Sequence, residues 1–92
     1  MKQVINPPDL AVALQYDGSN APRVTAKGKG KTAEEIIAIA EQHDIPLHTD
    51  VVLVDMLAKI PLGDEIPREL YLAVAEVIAF AYLISGKQPE SR

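Results

Sequence analysis

Leu10-Ala11-Val12-Ala13-Leu14-Gln15-Tyr16 alternates large and small side chains. An extended chain sends successive side chains to opposite faces, so Leu10, Val12, Leu14 and Tyr16 share one face and Ala11, Ala13 and Gln15 the other. That pattern predicts a central strand with a helix packed closely on its alanine side. Upstream, Val4-Ile5 ends a short apolar strand, and Asn6-Pro7-Pro8-Asp9 stops it in a turn or loop. Downstream, Asp17-Gly18-Ser19-Asn20 reads as a turn, and Arg23 to Lys27 as another short strand.

The helices follow. Thr32 and Glu35 have the spacing of a capping box before a helix running to about His43, with Ala33, Ile36, Ile37 and Ala40 inward. Asp44 and Pro46 end it. Ile45 to Thr49 reads as a strand, at a sheet edge because of Pro46. Asp50 is placed to cap a short helix carrying Leu53, Met56, Leu57 and Ile60 inward, closed by Pro61 and Gly63. Pro67 suits the first position of a last helix, with Leu70, Val74, Val77, Ile78, Ala81 and Ile84 recurring at helical spacing and Gly86 as its stop. The predicted order is two or three strands, helix, strand, helix, helix: one α/β (α+β) domain over residues 1–86, with 87–92 a disordered tail.

Composition narrows the function. The chain has 92 residues, 13 acidic against 9 basic side chains and a formal charge of -4. A nucleic-acid binder needs the opposite balance, because its affinity comes from neutralising phosphates. Without cysteine there is no disulfide framework, thiolate nucleophile or cysteine zinc site. No export signal is read at the start. The Leu70 to Ile84 stretch, broken by Glu76, falls short of the roughly 20 apolar residues a spanning helix needs. The cytoplasm is the expected location.

Gly28-Lys29-Gly30-Lys31 precedes a helix start, as the end of a phosphate-binding loop does. The full pattern requires a further glycine where this chain has Thr25, so the segment is read as a flexible turn in a solvated basic patch of Lys27, Lys29 and Lys31. His43 suits a helix C-terminus, and His48 lies in a short strand; neither is read as a metal ligand. Tyr71 and Tyr82 are read as packing residues with a wet hydroxyl. No cofactor and no metal are expected, and no nucleophile elbow or carboxylate pair points to a turnover enzyme.

Asn6-Pro7 carries more specific chemistry. Proline offers no backbone N–H to attack the asparagine side chain. The remaining intramolecular route has the Asn6 side-chain nitrogen attack its own backbone carbonyl, expelling the Pro7 nitrogen and cutting the chain. A strained turn is needed to align those atoms.

The segment Val4 to Asp17 resembles the region around the Asn-Pro-Thr-His autocleavage site of the FlhB/YscU family of bacterial type III export proteins, with its following Phe-Ala-Val-Ala-Leu-Lys-Tyr strand. Ala21-Pro22-Arg23-Val24-Thr25-Ala26-Lys27-Gly28 is similar to the family's Ala-Pro-x-Val-x-Ala-Lys-Gly. Ile45-Pro46-Leu47 and the run from Gly63 to Val77 resemble later family blocks in the same order. The resemblance implies a mixed sheet of about four strands packed with three helices. It also implies a role in switching export substrate specificity, with neighbouring export-gate cytoplasmic domains, a length-ruler protein or export substrates as partners.

Two departures shape the expectation. The family's Thr and His are Pro8 and Asp9 here, and the family's membrane helices are not seen. A carboxylate is an acceptor at neutral pH and cannot serve as the proton donor an imidazole provides. Asn6 and Pro7 are therefore candidate autocleavage residues expected to stay joined, and Pro8 and Asp9 are expected binding residues. The reading is a non-enzymatic protein-interaction module; its rival is a cytosolic regulator or small-ligand binder using the Gly28 to Lys31 segment.

Overall fold

The computed structural model describes residues 2–6 and 9–85, with Ala81, Tyr82, Ile84 and Ser85 described by backbone alone. The strands are β1 (Lys2–Ile5), β2 (Leu10–Gln15), β3 (Arg23–Lys29) and β4 (Leu47–His48). The helices are α1 (Lys31–Gln42), α2 (Val51–Leu57) and α3 (Tyr71–Ser85), with a 3-10 turn at Arg68–Leu70 leading into α3. The sheet order is β3-β2-β1-β4. β1 is antiparallel to β2, β2 is antiparallel to β3, and β4 runs parallel to β1 at the edge.

The alternation in β2 decides the layering as expected. Val12 and Leu14 enter a core with Ile5, Val24, Leu53, Val54, Leu57, Leu70, Val74 and Val77, built under α2 and α3. Ala11 and Ala13 face α1, where Ala33 and Ala40 are buried and Ile36 and Ile37 pack against them. Small residues on both elements let α1 lie close to the sheet. The last helix's inward stripe holds at Leu70, Val74, Val77 and Ile78. Tyr71 is exposed, as a wet hydroxyl requires.

Several local expectations are corrected. The capping box does not form: α1 starts at Lys31, Gly30 holds the cap position at φ 56, and no side chain caps it. Thr32 thus lies inside the first turn, and its methyl group packs over Gly28, where an added Cβ would come within 2.2 Å of Thr32 Cγ2. Gly28 and Lys29 belong to β3, so the predicted flexible loop shrinks to Gly30. Lys27 is not part of a solvated patch. Its Nζ donates to the carbonyls of Ala58 at 2.9 Å and Ile60 at 2.7 Å, just past the C-terminus of α2. A cation there complements the helix dipole and ties β3 to α2.

In α2, Asp50 caps as expected, its Oδ1 accepting from Leu53 N–H at 2.9 Å. Val54 is fully buried while Met56 is 39% exposed, so the inward stripe runs one step from the expected one. β4 shortens to Leu47–His48, and Pro67 precedes the 3-10 turn instead of opening α3. The expectations for Tyr82, Ala81 and Ile84 side chains, Gly86 and the tail lie outside the described residues.

Candidate interaction site

Two features stand at opposite ends of the sheet. At one end β1 leaves the sheet at Asn6 and β2 begins at Leu10. The ends of this connection are pinned: Asn6 N–H donates to His48 O at 2.9 Å, and Gly30 N–H donates to Asp9 O at 3.0 Å. Asn6 is half-buried and Asp9 is exposed. Pro7 and Pro8 lie outside the described residues. The structure thus brings Asn6 and Asp9 to one end of the sheet, between β4 and the start of α1.

A histidine does lie beside Asn6, but not as the family's motif would supply it. His48 pairs in register with Ile5, so its imidazole stands on the Ile5 face. It meets Phe80 edge-on, with ring centroids 6.3 Å apart, and its Nε2 lies 3.9 Å from Asp50 Oδ2. The alternation of an extended chain turns Asn6 to the other face. Among the described residues no cluster of three or more His, Cys, Asp or Glu could hold a metal.

At the opposite end, an open cleft of about 530 Å³ separates the β2–β3 turn from α3. Tyr16, Ala21, Pro22 and Ile66 line one side, Tyr71, Val74, Ala75, Ile78 and Ala79 the other, and Ser19 and Asn20 give polar contacts. Its size and apolar lining with few polar groups suit an apolar guest. Sequence reasoning missed this cleft because its walls come from segments far apart in the chain.

Asp17 shapes the turn beside the cleft. Its carboxylate accepts from the N–H groups of Ser19 and Asn20, both at 2.9 Å, and from both their side chains. These bonds, the Asn20 backbone foremost and then that of Ser19, hold its carboxyl well below the usual carboxylate range. A lowered folded-state pKa stabilises the fold above the ordinary value of about 3.9 and is lost as pH falls towards the lower folded value. The stability difference between wild type and Asp17→Ala should therefore be constant near neutral pH and shrink below about pH 4. Chemical denaturation at stepped pH measures it.

The sheet carries one helix on one face and two on the other, with Asn-Pro in the sequence at the first strand connection. The chain belongs to the FlhB HrpN YscU SpaS family, whose profile matches residues 4–81. It is 43% identical over 74 residues to the Bacillus subtilis protein YlqH, covering 78% of this chain and 80% of that one. It is 38% identical over 95 aligned positions to the Salmonella typhimurium flagellar biosynthetic protein FlhB, covering 94% of this chain but 25% of FlhB. The chain thus spans a quarter of that relative's length.

Solved structures agree. The cytoplasmic domain of FlhB from Shewanella putrefaciens superposes with a TM-score of 0.81 at 30% identity, over 87% of this chain and 64% of that one. A mutated EscU C-terminal domain gives 0.80 at 31% identity, over 86% and 83%. EscU has been solved with substitutions at an asparagine and at the proline that follows it. Among the described residues no helix of this chain is long and apolar enough to cross a membrane.

Proposed function

We propose that this chain is a cytoplasmic protein-interaction module of flagellar or related type III export, which binds its partners without cutting itself. The observation that carries the reading is the apolar cleft beside α3, which fits a protruding apolar side chain from a partner protein. Further support comes from α3 itself. An amphipathic helix turns polar residues outward, yet Leu72, Phe80 and Leu83 are exposed on it at 74%, 50% and 72%. Surface of that kind marks contact with another protein. The partners are export-gate cytoplasmic domains, a length-ruler protein or export substrates, met at the cleft and at the Asn6–Asp9 connection. Loops held by a rigid scaffold commonly carry recognition.

The rival site at Gly28 to Lys31 has less in its favour. Gly28 and Lys29 are strand residues, and Lys27 is engaged with α2.

Affinity purification from the native cell tests the proposal, with the wild-type domain, Ala79→Arg and a Pro8→Ala/Asp9→Ala variant as baits. Arginine at the exposed Ala79 position should fill the cleft without entering the core. Export proteins should be enriched on the wild-type bait and reduced several-fold on each variant. Equal recovery on all three, or recovery of unrelated cytosolic proteins alone, would remove this reading.

A further inference from the structure

We propose that the outer edge of β4 is a second binding site, which takes up a basic extended peptide segment as an added strand. Val4 N–H donates to Pro46 O at 3.2 Å and Asn6 N–H to His48 O at 2.9 Å. The carbonyls of residues 46 and 48 therefore point at β1. Leu47, between them, directs its N–H and C=O away from the sheet, and no described hydrogen bond uses that pair. A donor and an acceptor on one edge residue match what an incoming strand exchanges in β-augmentation.

Edges of this kind are usually blunted by lysine, by proline or by a covering segment. The other edge of this sheet is protected in that way. Val24 N–H donates to Asp64 O at 3.0 Å, Gly63 N–H donates to Val24 O at 2.8 Å, and Lys29 is exposed on the same strand. Among the described residues the β4 edge lacks these guards. Pro46 does not serve as one, because its carbonyl, and with it the position of its missing N–H, faces β1.

Charge selects the occupant. Between Lys31 and Lys59 the chain has no Lys or Arg, whereas Glu34, Glu35, Glu41, Asp44, Asp50 and Asp55 all fall there. Asp44 and Asp50 lie in the turns on either side of β4, Glu41 and Asp55 in the helices that precede and follow those turns, and Glu34 and Glu35 at the far end of α1. A second copy would bring the same carboxylates together across the edge, which disfavours self-pairing. A segment carrying Lys or Arg gains attraction and faster encounter.

The test uses blocked Lys-Val-Lys-Val-Lys and Glu-Val-Glu-Val-Glu peptides, and a Lys peptide N-methylated at its central amides. Binding is followed by amide chemical shifts of the whole domain. The Lys peptide should shift Leu47 and Thr49, more strongly at low salt, and the other two should not. Leu47→Pro removes the outward N–H while leaving the β1 ladder, and should weaken the Lys peptide about tenfold or more. Should that variant not fold, the N-methylated peptide makes the same distinction in the wild type. Equal binding of the N-methylated peptide, shifts confined to the cleft around Tyr16 and Ile78, or dimerisation through β4 would each overturn the proposal. The site is independent of the export assignment: the peptide result stands whichever proteins the pull-down recovers.

Discussion

Leu14→Ala is expected to destabilise the domain by about 2–5 kcal/mol, read from the midpoint of a denaturant titration. Leu14 is 1% exposed in the middle of β2, among Val12, Val24, Leu57 and Val74. Truncating it removes the transfer energy of its methyl groups and leaves a cavity walled by the sheet and two helices, which cannot all close in. A domain of this size has about 5–15 kcal/mol of stability at most, so the loss is a large fraction of the whole. A change well under about 1 kcal/mol would contradict the burial of β2.

The second large effect is expected at Gly28, where alanine should cost about 1–3 kcal/mol through overpacking. A Cβ there would meet Thr32 Cγ2 at 2.2 Å, Thr32 Cβ at 2.6 Å and the Thr32 backbone carbonyl carbon at 3.3 Å. The first turn of α1 would have to move away from β3. Thr32→Ala in the same chain removes only the methyl contact, so it should recover part of the loss and leave the rest. A double-mutant cycle by chemical denaturation reads the coupling. Gly28→Ala without any cost would mean that α1 does not approach the sheet so closely.

These two sites differ in how far the sequence disclosed them. Leu14 was legible because alternating residue size encodes the two faces of a buried strand directly. The Asp50 cap and the inward stripe of α3 were legible for similar reasons, since their signals are local. Gly28 was misread as flexibility, because a glycine kept small for packing looks the same in sequence as one in a loop. Met56 and Val54 were exchanged because α2 is too short for its periodicity to fix its rotation. Lys27 looked like surface charge, and only the fold brings the α2 carboxy-terminal carbonyls to it. The cleft depends on residues from Tyr16 to Ala79 converging. No local pattern marks it, because the α3 residues that line it include Val74 and Ile78 of the inward stripe itself.

The Asn6 connection was singled out in the sequence by its resemblance to the family's motif, while any chemistry there rests on neighbours that only the fold arranges. His48 is close in the ladder but stands on the Ile5 face, and Asp9 occupies the position of the family's histidine. Binding without self-cleavage is the function we propose for this domain, and intact mass spectrometry tests it most directly. The purified chain is to be kept for days at neutral and mildly alkaline pH. A single species at the full-chain mass is the expected result. A fragment beginning at Pro7 that disappears in Asn6→Ala would contradict the account.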